Sequence, residues 1–233
     1  MGENNLMTTP TVSQGDLFVH PVNFVECLAR LVAGRPEDTA LIVVSERDGK
    51  LLERPLTYGA FGRRVQALAS VLRDRFAQGD RVLIMVDNDE HYAVSMFACF
   101  HAGVIAVPVF PPESVRPQHL ARLASIATDA QARGVLTAAA LEALVGPAAR
   151  QFGIEAVVFV DQLSIEDAGD GAWNPHQPAE ADVAFLQYTS GSTSAPKGVM
   201  VTHGNLMANE RAIREALSID SDDKFGVWSP LFH

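Results

Sequence analysis

The chain has 233 residues, a formal net charge of −10, 48% hydrophobic side chains and 20% charged ones. That mix suits a folded unit with a real core. The acidic balance excludes nucleic acid as the main partner, because a phosphate backbone selects clustered Lys and Arg, but it leaves room for a nucleotide held by a few local donors.

Residues 1–20 carry neither the basic nor the apolar region of a signal peptide and read as a loose leader. Phe24, Cys27, Leu28, Leu31 and Val32 then recur at helical spacing behind Asn23, a capping residue. "ALIVVS" and "LLERPLT" read as two strands joined at Asp48–Gly49, a hairpin signal. Thr57 caps a helix with a stripe of Phe61, Val65, Leu68 and Leu72, which Gly79 helps to end. "RVLIMV" is a continuous apolar run, the mark of a strand covered on both faces. The helix after Asp87–Asp89 places Ala93, Met96, Phe97 and Phe100 on one face and closes at Gly103. "VIAVPVF" is the next strand, followed by a helix through Leu120, Leu123 and Ala127. A short strand "GVLT", a short helix "AAALEALVG" and a buried-type strand "EAVVFV" complete the alternation. Residues 161–180 form an acidic, Gly/Pro-rich connection. Strand–helix alternation with apolar strands gives an α/β fold with a largely parallel sheet covered by helices. No stretch is long and apolar enough to span a membrane. Cys27 and Cys99 are too isolated for a disulfide framework or a zinc site and read as small buried hydrophobes, in keeping with the cytoplasm.

Residues 188–198, "YTSGSTSAPKG", crowd five Ser and Thr hydroxyls and a lysine between two apolar runs. A strand that enters a Gly- and hydroxyl-rich turn aims backbone N–H groups into one concavity, a nest for phosphate oxygens. Thr189, Ser190, Ser192, Thr193 and Ser194 add hydroxyl donors, Gly191 relaxes the backbone, and Lys197 supplies a mobile cation. The loop is not a Walker motif. Pro196 stands before the lysine where glycine is required, Gly198 follows where Ser or Thr is required, and Val199–Val201 intervene before any helix. A plain solvated turn is the competing structural reading.

The stretch "LQYTSGSTSAPKGVMVTHGNL" (186–206) resembles the phosphate-binding signature of the adenylate-forming, or acyl-activating, superfamily. "LTYGAF", "FACFHAGVIAVPVFPP" and "WSPLFH" resemble further stretches of the same enzymes, so the likeness runs from Phe24 to His233. "LQYTSGST" and "VPVFPP" make fatty acyl-AMP ligases the nearest subfamily. Ser194 stands where most members carry a second glycine.

The resemblance implies that residues 21–233 are the N-terminal portion of the large AMP-binding domain, with the remainder and the C-terminal lid absent. It implies ATP-dependent activation of a fatty acid to acyl-adenylate with release of pyrophosphate, followed by transfer to an acyl carrier protein or a polyketide or peptide synthase module. ATP and Mg²⁺ are the implied cofactors, with the Mg²⁺ ligand beyond this chain, and the chain alone is expected to be inactive. Thr189, Ser190, Gly191, Ser192, Thr193 and Lys197 would hold the departing phosphates, and His233 would be a positioning group near the acyl and α-phosphate region. His203 reads as a helix-start residue, and His91 and His101 as structural. An acyl-CoA synthetase, a peptide-synthetase adenylation domain and a non-catalytic module with a relic loop are the alternatives.

Overall fold

The computed structural model describes residues 21–164, 175–189 and 196–231. The leader, residues 165–174 of the acidic connection, residues 190–195 and residues 232–233 lie outside the described residues.

Chain order follows the alternation read from the sequence. Helix α1 (Phe24–Gly34) starts at Asn23, whose side chain accepts the Glu26 N–H. Strands β1 (Thr39–Arg47) and β2 (Lys50–Thr57) pair antiparallel. Their two-residue turn, Asp48–Gly49, takes positive φ at both positions (53° and 72°), as tight hairpins require. Helix α2 (Tyr58–Arg75) is capped by Thr57 and buries Phe61, Val65, Leu68 and Leu72. Gly79 is not its end: the helix stops at Phe76, and Gly79 lies in the next turn, donating its N–H to Gly103 O.

Strand β3 (Arg81–Met85), helix α3 (Glu90–Ala102), strand β4 (Ile105–Pro108), helix α4 (Pro117–Asp129) and strand β5 (Gly134–Thr137) follow. A 3-10 turn (Ala139–Leu141) then leads into helix α5 (Glu142–Gln151), and strand β6 (Ala156–Phe159) comes next. Strand β7 (Val183–Thr189), strand β8 (Lys197–Thr202) and helix α6 (His203–Leu217) complete the order.

The main sheet runs β6-β5-β3-β4-β7-β8. Its first five strands are parallel and β8 returns antiparallel at the edge. Alternation along β3 explains its unbroken apolar text. Val82 and Ile84 point into a core shared with α1, α2 and α3, while Leu83 and Met85 enter a second core under α4 and α5. Phe24, Phe61, Phe97 and Phe100 join α1, α2 and α3 by ring contacts of 5.3–6.4 Å between centroids.

Two readings of helix faces shift. The deepest apolar residues of α3 are Val94, Ala98 and Cys99, while Ala93, Met96 and Phe97 are only half-buried. They face α1 and α2, not the sheet. Helix α5 runs past Gly146–Pro147 because Val145, Ala148 and Ala149 are all buried against the second core. That packing outweighs one backbone hydrogen bond lost to proline.

The β1–β2 hairpin is fastened to this body by charge. Glu90, 3% exposed at the start of α3, accepts from Arg54 of β2 at 2.6 Å and from Arg64 of α2 at 3.4 Å. Its carboxylate also suits the positive end of the helix. Replacing Glu90 by Ala is expected to lower stability by about 1–3 kcal/mol, because the two arginines lose their acceptor while water still reaches them. Urea unfolding measures this, and an unchanged midpoint would show that the hairpin is held by other contacts.

Candidate functional site

The order in which the chain adds strands reverses between β3 and β4: β4 is laid down on one side of β3 and β5 on the other. Helix α3, which leaves β3, packs on one face, and α4, which leaves β4, packs on the other. In open α/β sheets, the crevice at the carboxyl ends of such strands is where ligands bind. A cavity of about 830 Å³ lies there. Its floor is Pro108–Pro111 and Ile126, its rim includes Asp87, Glu113 and Arg122, and β7 supplies Gln187, Tyr188 and Thr189.

Strand β7 delivers the hydroxyl-rich loop to this crevice, and β8 carries the chain back. Their register pairs Thr189 with Lys197 and Tyr188 with Gly198. Thr189 and Lys197 therefore stand opposite each other at the neck of the loop, both exposed. Among the described residues Lys197 has no ion-pair partner, so its charge is available at the mouth of the crevice. Ser190, Gly191, Ser192, Thr193 and Ser194 lie outside the described residues, as does His233.

The neck rests on contacts that local sequence does not show. The Tyr188 hydroxyl donates to Asp129 Oδ2 at 2.5 Å, at the last residue of α4. Burial, and then the Asp129 carboxylate, push this phenol above its ordinary pKa. Asn88, at the exit of β3, grips the far end of the chain. Its Nδ2 donates to Ser229 O at 3.3 Å, and its Oδ1 accepts the Leu231 N–H at 2.9 Å. The "SPL" segment is thereby brought to the edge that carries Asp87 and the cavity.

His203 lies elsewhere. It opens α6 behind a Thr202–Asn205 capping box, and Val183 pairs with Thr202 at the amino end of β7. The length of β8, roughly 17 Å at 3.4 Å per residue, separates it from the neck. It is 4% exposed, stacks edge-on against Phe100 at 5.2 Å, and its Nδ1 has no hydrogen-bond partner among the described residues. His101, near the end of α3, is also buried, at 2% exposed. Cys99 is fully buried and Cys27 half-buried; burial pushes the Cys27 thiol up to about 11 and the Cys99 thiol higher. Neither is poised as a nucleophile.

One described cluster, Asp89, Glu90 and His91, has the composition of a metal site. Its groups are engaged otherwise: Asp89 caps α3 through the His91 N–H, and Glu90 holds two arginines. It does not fit a Mg²⁺ site.

Residues 28–233 match the AMP-binding enzyme family. The chain belongs to that family. A long-chain-fatty-acid–AMP ligase, FadD32 of Mycolicibacterium smegmatis, is 37% identical over 198 residues, covering 81% of this chain and 30% of that protein. JamA of Moorena producens, a medium-chain-fatty-acid–[acyl-carrier-protein] ligase, is 32% identical and covers 80% and 32%. Among solved structures, a fatty acyl-adenylate ligase from L. pneumophila, in complex with acyl adenylate and pyrophosphate, superposes with a TM-score of 0.77 at 26% identity. It covers 90% of this chain and 35% of its own. The α/β architecture is thus that of the N-terminal domain of adenylate-forming enzymes, and this AMP-binding chain spans about a third of the length of the relatives it matches.

The two buried histidines make stability depend on pH. Burial, aided by Arg73, pulls His101 down to about 4. Burial also pulls His203 down to about 4, with Asp182 opposing and His176 adding. Both stay neutral when folded but take up a proton when unfolded below about pH 6.5. Their contribution is complete above pH 6.5 and is lost as pH falls towards 4, on the order of 2 kcal/mol for each. Urea midpoints of the protein are expected to drop across that window, with a shallower drop in His203→Gln. Equal slopes in the two proteins would contradict this account of His203.

Proposed function

We propose that residues 21–233 are the N-terminal, phosphate-binding portion of a fatty acyl-AMP ligase domain. The protein would activate a fatty acid with ATP and release pyrophosphate. The observation that supports this best is the pairing of Thr189 with Lys197 across the loop neck, at the mouth of the 830 Å³ cavity. An exposed hydroxyl and an exposed ammonium group with no ion-pair partner among the described residues suit a polyphosphate tail.

The reaction brings two anions together. The fatty carboxylate attacks the α-phosphorus of ATP, an acyl-phosphate bond forms, and the bond to the bridging oxygen breaks as pyrophosphate leaves. Charge builds on the departing oxygens. Lys197 and the hydroxyls of Thr189, Ser190, Ser192 and Thr193 would hold those oxygens, while Gly191 lets backbone N–H groups approach. Donors preset in this way lower the barrier because they need no reorganisation when the charge appears. No step is assigned to a metal held by this chain. His233 would position the acyl and α-phosphate end.

The acyl-adenylate would then pass its acyl group to a thiol. The name of JamA specifies an acyl carrier protein as acceptor, and we assign the same partner class here, on a carrier protein or a polyketide or peptide synthase module. A cytoplasmic location goes with this reading. Among the described residues no helix is long and apolar enough to cross a membrane.

The test is ATP–pyrophosphate exchange by the full protein across a series of fatty acids, with carrier protein and coenzyme A compared as acceptors. Exchange that requires a fatty acid, and acyl transfer to the carrier, are expected. Lys197→Ala is expected to slow exchange about 10²-fold. Exchange driven by an amino acid would point to a peptide-synthetase adenylation domain, transfer to coenzyme A to an acyl-CoA synthetase, and no exchange at all to a non-catalytic module.

A further inference from the structure

The glycine of the Pro-Lys-Gly segment invites the explanation that a bulkier residue would block phosphate. The geometry gives another. A Cβ on Gly198 would lie 2.8 Å from Cζ and 3.0 Å from the hydroxyl oxygen of Tyr188, closer than side-chain carbons approach. The two residues face each other in the β7–β8 ladder, so the ring lies across the glycine backbone. Gly198 is bare because Tyr188 occupies its side-chain space.

The other end of the ring is also committed. Its hydroxyl reaches Asp129 at 2.5 Å, a distance typical of a charge-assisted O–H···O⁻ bond. Asp129 is oddly placed by its own helix. It ends α4, where the helix dipole disfavours a carboxylate. A donor from β7 gives that carboxylate a reason to be there. Tyr188 is 8% exposed and belongs to the core under α4 and α5, so it cannot swing freely. One side chain thus touches both strands of the neck and the helix behind them.

We propose that Tyr188 is a positioning residue for the loop: its ring over Gly198 and its hydroxyl on Asp129 hold the Thr189–Lys197 neck against α4. The role concerns geometry and not chemistry, since nothing places the phenol on a reacting atom. It rests on the reading of residues 190–195 as an anion cradle. A hairpin with a Gly- and hydroxyl-rich tip and one edge strand would otherwise splay at its open end. An anchor one residue before the tip fixes the distance between Thr189 and Lys197, hence how a diphosphate is gripped.

The experiment uses the full protein as wild type, Tyr188→Phe, Asp129→Ala and Asp129→Asn. Two readouts are taken: amide exchange at residues 187–189 and 197–199, and the Kd for inorganic pyrophosphate by calorimetry. Tyr188→Phe keeps the ring, so the core stays filled. Both Tyr188→Phe and Asp129→Ala are expected to speed exchange at the neck about tenfold and to weaken pyrophosphate about tenfold. Their double variant should be no worse than either alone. Asp129→Asn still presents an oxygen to the phenol and is expected to restore most of both, a rescue that simple loss of packing would not give. Unchanged exchange at the neck in Tyr188→Phe and Asp129→Ala overturns the tether. A loosened neck with unaltered pyrophosphate affinity overturns the positioning role. If the wild type binds no pyrophosphate but the variants still loosen the neck, the tether stands and the anion-cradle reading fails.

Discussion

Tyr188 lies across Gly198, and the rest of the site takes its place from that contact. Strand β7 is the last of five parallel strands, and a sixth parallel strand would carry the chain away from the crevice. Instead β8 turns back antiparallel, which places both ends of residues 190–195 at one point on the sheet's carboxyl edge. A hairpin at an open edge is held by ladder hydrogen bonds and by whatever packs on it. Here the packing partner is an aromatic ring seated in the space a glycine leaves. The Thr189–Lys197 pair follows one step further along.

Behind the hairpin, two cores of unequal character give the crevice a rigid frame. The core under α1, α2 and α3 is aromatic and deep. The one under α4 and α5 is aliphatic and ends at Tyr188. Apolar burial on both faces of β3 leaves its exit, Val86–Asn88, little freedom, and that exit presents Asp87 to the cavity and Asn88 to the Ser229–Leu231 segment. At the opposite end of the sheet, buried histidines and the capping box of α6 give stability without chemistry.

Much of this was legible in the chain. "RVLIMV" reads as a buried strand because a strand covered on both faces has no polar positions to betray alternation. Asn23 and Thr57 announced helix starts through a short-range cap geometry that sequence encodes directly. The loop and its lysine were legible by composition and by resemblance. What was not legible depends on distance along the chain. Tyr188 and Asp129 are separated by 59 positions, and Asn88 and Leu231 by 143, so no periodicity connects them. Helix α5 was cut short in the reading because Gly146–Pro147 is a local breaker, whereas the burial that carries the helix onward is tertiary. Of the polar run Asp87–Asp89, only Asp89 caps α3, and Asn88 grips the tail instead.

The central claim is that the neck formed by Thr189 and Lys197 grips a diphosphate. The most direct measurement is a pyrophosphate titration of the isotopically labelled protein, followed through its backbone amide resonances. The account predicts saturable shifts concentrated at Thr189, Lys197 and the residues between them, with His203 and the α6 start unmoved. Shifts confined to other surfaces, or none at millimolar pyrophosphate, would contradict it.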